Sequence, residues 1–264
     1  MIVIDPGHSG RSITSTDQAT GLRDIDYPNY PEIYEMFDVS YCVAQGLRAD
    51  GYRVVLTKKR AMASVGLAKR AEIATQSRAD LAISVHNDHS QGPHFQATYD
   101  QRGRRDPDGG YHAMYRGTGA KRTVFDHPKL ARQSQRYAKI IARARTETQG
   151  RPVGVRENSF TGRPPLEPGN LALVQLLAEV PWVYNEMGAL TGGDVSTAIS
   201  IPTEVRYAQG LLLGIERAVP LAAGVVDQPS PGFRGLRRCL VKRVEPRAGV
   251  YTRPKAYLPD GFAR

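Results

Sequence analysis

The sequence predicts an α/β fold: a mostly parallel twisted sheet flanked by helices on both faces, with a short C-terminal extension. Three observations lead there. Along the first 85 residues, short apolar runs alternate with segments of helical periodicity, and the order strand, helix, strand, helix, strand marks a parallel sheet with crossovers on its faces. The runs themselves are apolar and bounded by turn residues, as buried strands are. Finally, 41% of the 264 residues are hydrophobic, enough to bury the core of one large domain, or of one domain with an appendage.

Taken in order, Ile2 to Asp5 is an apolar run that breaks at Pro6 and Gly7 and reads as a strand opening into a loop. From about Ile33 to Ala49, Phe37, Ser40, Tyr41, Ala44 and Leu47 recur at helical spacing, and Asp50 and Gly51 close the segment. Arg53 to Leu56 is the second strand, Ser64 to Ser77 the second helix and Leu81 to Val85 the third strand. Between His89 and Asp126 the chain is rich in Gly, Arg, Asp and Tyr with little periodicity, apart from a strand candidate at Phe95 to Tyr99, and reads as an insertion. A basic helix is expected from Lys129 to Thr146, a Pro/Gly-rich loop from Gly150 to Gly169, and an apolar stretch from Asn170 to Leu177. A last strand at Pro181 to Asn185 and a helix from Pro202 to Val219 complete a first domain, residues 1–223. Residues 224–264 read as a Pro/Gly linker and a basic tail, with Arg237, Arg238, Lys242, Arg243 and Arg247 in a strand-like setting. Too short to bury a core alone, the tail is expected either to dock on the main domain or to begin a further binding module.

Thirty-six Lys and Arg against 26 Asp and Glu give a formal net charge of +10, which favours polyanionic partners. The basic residues form no nucleic-acid reading motif, so no specific nucleic-acid partner is expected. No stretch is long and apolar enough for a membrane span, and no export signal is visible at Met1 to Asp5. Cys42 and Cys239 are far apart with no CxxC spacing. They indicate neither a disulfide framework nor a thiolate metal site, and Cys42, on the core side of a helix, reads as a small buried apolar residue.

The chemistry concentrates at two strand ends. The first strand delivers Asp5, Pro6, Gly7, His8, Ser9, Gly10 to the C-terminal edge of the sheet, where open α/β folds place their sites. The third ends in Ser84, Val85, His86, Asn87, Asp88, which sets a second imidazole at the matching edge. Two converging neutral imidazoles are half of a zinc site. Catalytic zinc takes a third protein ligand and leaves one position open, and Glu32 and Glu35 are the candidates. His89, His94, His112 and His127 fall in loops and read as solvent-exposed, with His89 and His94 the nearer to a cleft.

These motifs resemble the zinc amidases of the family 3 type of N-acetylmuramoyl-L-alanine amidases. In that family a strand ends in a DPGH-like turn, a glutamate opens the first helix and a later strand ends in a SxH motif. The resemblance spans residues 1 to about 220 and implies a ligand set of His8, Glu32 and His86 around one Zn2+. Counting back from Gly51 favours Glu32 over Glu35, and Tyr30, Pro31, Glu32 is a sound helix start with the carboxylate near the N-terminal dipole. The late strand Val183, Tyr184, Asn185, Glu186, Met187, Gly188 implies Glu186 as the catalytic carboxylate. Arg70 stands where the family commonly has arginine. Together with Asn87, Arg163 and Asn170 it is a candidate substrate-binding residue. Asn87 and Asp88 replace the family's usual small residue then Asn, and the insertion after His89 is long.

The implied reaction is zinc-dependent hydrolysis of the amide between the muramoyl lactyl group and L-alanine in peptidoglycan, with metal-activated water and a glutamate base. The alternatives are a zinc carboxypeptidase or deacylase acting on small acylated amino acids and a non-catalytic peptidoglycan-binding protein. The expected partner is the anionic cell wall and the expected state a monomer. Without a visible export signal, the chain reads as a phage-type endolysin released from the cytoplasm or as an autolysin whose leader has been removed.

Overall fold

The computed structural model describes residues 1–16, 23–87, 96–98, 115–116, 123–124, 128–156, 173–188, 200–221 and 230–244. Its main sheet contains β1 (Ile2–Pro6), β4 (Val54–Leu56), β5 (Leu81–His86), β6 (Gln96–Thr98), β9 (Gly154–Arg156) and β10 (Trp182–Glu186). The strand order is β4-β1-β5-β10-β6-β9. β4, β1, β5 and β10 are mutually parallel, β6 runs antiparallel to β10, and β9 is parallel to β6. Two small hairpins stand apart, β2 (Ile13–Thr16) with β3 (Arg23–Asp26) and β7 (Tyr115–Arg116) with β8 (Thr123–Val124).

Strand parity divides the helices between the faces, because successive side chains point to opposite sides. Ile2, Ile4, Leu81, Ile83, Val85 and Val183 pack with α1 (Tyr30–Ala49), α3 (Pro128–Gln149) and α5 (Ile201–Ala218). Val3, Ala82, Trp182 and Tyr184 face α2 (Leu67–Gln76) and α4 (Leu173–Leu177). Both faces are covered, which is why the strands carry apolar residues at nearly every position rather than at alternate ones.

Boundaries shift where local signals are weak. α1 begins at Tyr30, three residues earlier than its apolar periodicity predicts, because Pro31 pre-sets helical φ in the first turn. The 150–169 stretch, read as loop, contains β9, and the apolar run before the last strand forms α4. The β2–β3 hairpin, ITST against RDID, lacks the apolar alternation that marks a half-buried strand and is invisible to a hydrophobic pattern.

The largest difference lies after Ala223. Residues expected in a strand-like setting form α6 (Pro231–Val244), which packs on α1 and α5 and buries Leu236 and Leu240 in the main core. Each such leucine contributes about 1.5–3 kcal/mol. α6 runs antiparallel to α1 along its length. Asp50 accepts hydrogen bonds from Ser230 Oγ and Gly232 N, both at 2.8 Å, and Arg243 Nε donates to Asp38 Oδ1 at 2.6 Å. Gly232 crosses Gly46 so closely that a Cβ on Gly232 would sit 2.3 Å from the Gly46 carbonyl oxygen. Between these points Cys42 and Cys239 form a disulfide, with Cα atoms 5.7 Å apart. This corrects the expectation that no disulfide is present: a separation of 197 residues conceals the pairing, and helix docking creates it. The boundary expected at residue 223/224 falls within 222–229, outside the described residues.

Candidate active site

The DPGH segment runs off the end of β1, and its shape is imposed by two buried basic side chains. Arg70, 0% exposed on α2, donates from Nη1 to the Pro6 carbonyl at 2.8 Å and from Nη2 to the His8 carbonyl at 2.8 Å. Lys58, 1% exposed, donates from Nζ to the carbonyls of Gly7 at 2.8 Å, His8 at 2.7 Å and Ala61 at 3.1 Å. Three successive carbonyls are thus drawn inward, and His8 takes the left-handed φ of 53°. For a residue with a Cβ this conformation costs about 1–3 kcal/mol, which the clamped carbonyls offset. Gly7 must lack a side chain: a Cβ there would lie 2.7 Å from His86 Nδ1.

Carboxylates hold the guanidinium. Arg70 pairs with Asp5 at 3.0 Å and with Asp26 at 3.1 Å. Asp5 also accepts from Thr57 Oγ1 and Ser84 Oγ. Burial favours neutral Lys58, and with Arg70 close by its pKa falls to about 7 despite nearby Asp5 and Asp26. Asp26 goes the other way: burial opposes its charge, but His8 and Arg70 hold its pKa down at about 2. The β2–β3 hairpin that supplies Asp26 also supplies Asp24, whose carboxylate accepts from Leu67 N and Ala68 N and so caps α2, which has no side-chain cap of its own.

Against this frame three side chains meet. His8 Nδ1 donates to the Tyr27 carbonyl at 2.8 Å, with Asp26 Oδ1 at 3.4 Å, which leaves Nε2 directed at Glu32 Oε2, 3.0 Å away. His86 Nδ1 lies 2.9 Å from Glu32 Oε1. The ring of His86 stacks on Tyr184 at 4.6 Å, and the two imidazole centroids are 4.9 Å apart. Glu32 is fixed further by Asn29 Nδ2 and by the Asn87 backbone N–H, each at 2.8 Å. Burial disfavours charge on His8, yet Glu32 and Asp26 prevail and push its pKa up to about 10. Burial lowers that of His86. The carboxyl of Glu32, though buried, is held well below its usual range by the two imidazoles.

One ligand atom from each of His8, Glu32 and His86 lies within 4.8 Å of the others. Two imidazole nitrogens and a carboxylate oxygen gathered in this way could hold a metal ion. The Nδ1–H bond from His8 to a carbonyl also selects the tautomer that presents Nε2 as a ligand. Glu35 is buried on α1 but belongs to a different group, with Asp38 and with Glu204 of α5.

Of the other expected site residues, Glu186 ends β10 and pairs in register with His86 on the adjacent parallel strand. Neighbours at one register position share a face of the sheet, so Glu186 and His86 project to the same side. Behind Glu186, Arg145 of α3 is wholly buried, donates from Nη2 to the Glu186 carbonyl at 3.0 Å and lies over the Tyr207 ring at 4.6 Å. Arg70, expected to bind substrate, is instead enclosed behind the turn with its nitrogens committed to Asp5, Asp26 and backbone carbonyls. Asn87 is 1% exposed and meets Glu32 through its backbone. Arg163, Asn170 and the histidines at 89, 94, 112 and 127 lie outside the described residues.

Sequence reasoning missed Asp26, Lys58 and Arg145. A signal for Arg145 existed: it continues the buried stripe Ala138, Ile141, Ala142 of α3, where a charge needs a partner. Asp26 and Lys58 carry no such mark.

The chain matches the family model described as N-acetylmuramoyl-L-alanine amidase over residues 2–217. Among curated proteins, none matches by sequence. By fold it is similar to an N-acetylmuramyl-L-alanine amidase from Mycobacterium abscessus, at 20% identity and TM-score 0.54, over 82% of this chain and 97% of that one. The corresponding enzyme from Mycobacterium smegmatis gives 19%, TM-score 0.52, and coverage of 82% and 95%. An N-acetylmuramoyl-L-alanine amidase from Clostridium difficile 630 gives 16%, TM-score 0.50, and coverage of 82% and 94%. With the family match spanning most of its length and the same α/β fold in these enzymes, the chain belongs to the N-acetylmuramoyl-L-alanine amidase family.

Proposed function

We propose that this peptidoglycan amidase hydrolyses the bond between the muramoyl lactyl group and the first L-alanine with one zinc ion held by His8, Glu32 and His86, and with Glu186 as general base. The observation that carries the reading is the convergence of two imidazole nitrogens and a carboxylate within 4.8 Å at the C-terminal edge of the sheet. Zinc in such a set acidifies water to a pKa near roughly 7 and polarises an amide carbonyl. His8 Nε2, on giving up its proton, and His86 Nδ1 would supply the nitrogen donors, and Glu32 the negative charge that draws a dication into a buried site.

Glu186, on the strand beside His86, accepts the proton of the attacking water at a carboxylate oxygen. It then returns that proton to the alanine nitrogen as the C–N bond breaks, since an amide anion is too basic to leave unprotonated. Arg145 keeps the end of β10 in place through the Glu186 carbonyl. The Cys42–Cys239 bridge accords with work outside the reducing cytoplasm.

The test is to incubate the protein with peptidoglycan, with and without a chelator, and to identify the new ends. Free L-alanine amino groups without new reducing sugars, abolished by chelation and restored by zinc, are expected. Glu186→Gln is expected to keep its zinc, measured by elemental analysis, while turnover falls about 10²–10⁴-fold. Full activity in that variant would remove Glu186 from the mechanism, and full activity in metal-free protein would remove zinc.

A further inference from the structure

We propose that the outer face of α3 is a docking surface for a linear phosphodiester polymer of the bacterial envelope. Between residues 129 and 146 the exposed positions of this helix are Lys129, Arg132, Arg136, Lys139 and Arg143, all of them basic. Their spacing of three, four, three and four residues places them in one row on the helix surface. The row is about 21 Å long, with a cation every 4.5–6 Å or so. Among the described residues none of the five enters an ion pair. The first exposed acid beyond the row, Glu147, is taken by Arg217 at 2.7 Å.

Like charges three and four residues apart weaken a helix, so an uncompensated row of five is unfavourable until an anion covers it. α6, which shares its core with α3, repeats the pattern: its exposed charged residues are Arg234, Arg237, Arg238 and Lys242. This side of the sheet therefore presents cations from two helices.

What the face lacks selects the partner. Surfaces that bind single-stranded nucleic acid add aromatic rings on which bases stack. The aromatic residue of α3, Tyr137, is 5% exposed, and that of α6, Phe233, packs against the core. Lipid-binding helices add apolar anchors, yet among the described residues the exposed large hydrophobics, Tyr30, Met62 and Leu221, lie on neither helix. A straight row of charges without rings or anchors fits a chain recognised through its phosphates alone. Choosing an envelope polymer as the source rests on the amidase reading above.

The experiment titrates the full chain with poly(glycerol phosphate) across a salt series. The parent is expected to bind with an affinity that falls steeply as salt rises, as phosphate neutralisation requires. The variant R132Q/R136Q/K139Q/R143Q is expected to bind at least tenfold more weakly with a shallower salt slope, at unchanged circular dichroism and unchanged turnover of a small soluble muramoyl-peptide. R136Q/K139Q, a milder change, is expected to fall in between. Glu32→Ala should bind the polymer like the parent, so a failure of the amidase reading leaves this result intact. Parent-like binding by the quadruple variant overturns the proposal. So does tighter binding of an oligonucleotide with the same number of phosphates, or of phosphatidylglycerol vesicles, than of poly(glycerol phosphate).

Discussion

Two glutamates open two helices in the same way and end in opposite states. Glu32 sits in the first turn of α1 and Glu204 in the first turn of α5, each helix with a proline at its start and each carboxylate almost fully buried. Glu32 meets two imidazoles, and its pKa is held well below the usual range. Glu204 is buried against Glu35 and Asp38, and burial together with those acids pushes its pKa up to about 9. Helix-start grammar and dipole are common to both. What differs is the charge of the facing elements: strand ends bearing histidine in one case, a stripe of α1 bearing acids in the other. A buried carboxylate can serve as a metal ligand only where its neighbours keep it ionised.

The sharpest way to break this contrast is to remove each carboxylate in turn. Glu32→Ala is expected to abolish zinc binding and to lower amide turnover by more than the roughly 10–100-fold typical of outer partners of a metal site. Glu204→Gln should leave both unchanged. Zinc retention by the first variant, measured by elemental analysis, or zinc loss by the second would erase the distinction.

A smaller effect, on stability alone, is expected around Glu204, where α6 is tied to α1. Replacing both Cys42 and Cys239 by serine should lower unfolding free energy by about 2–5 kcal/mol, read from denaturant melts with and without reductant, while zinc affinity is retained. A parallel loss of zinc affinity would show that the two regions are not independent.

A further effect concerns pH. Because Glu204 keeps its proton in the folded chain up to about 9, and an unfolded glutamate releases it near 4.3, the folded state binds more protons between those values. Its stabilising contribution is complete below the lower pKa and is lost as pH rises towards the upper one, by at most about 1.4 kcal/mol per unit. Glu204→Gln should flatten that decline in melts taken from pH 5 to 9. An unaltered slope would show that Glu204 ionises normally.

Much of the fold was legible because its strands and long helices announce themselves by hydrophobic period. The α1, α3 and α5 segments and the four parallel strands fall within a few residues of expectation. The metal candidates were legible because a histidine at the end of each of two apolar runs must come to the same sheet edge. The supporting layer was not. Asp26 lies on a polar four-residue strand, and Lys58 follows a strand as lysines do on any surface. Arg70 looked like a substrate contact until its burial placed it behind the turn. Cys42 and Cys239 stand 197 residues apart, and no local pattern pairs them.

By itself, then, the order of residues determined the parallel sheet, the edge at which chemistry gathers and the residue types available there, since these follow from local period and from connection rules that act within tens of residues. Only the tertiary structure decided which glutamate faces the imidazoles, that Arg70 and Lys58 clamp the turn rather than reach outward, and that the C-terminal segment is a helix bonded to α1. Those outcomes depend on which elements pack together in the folded chain, and so on the dielectric and charge each side chain meets there, quantities that no stretch of sequence contains.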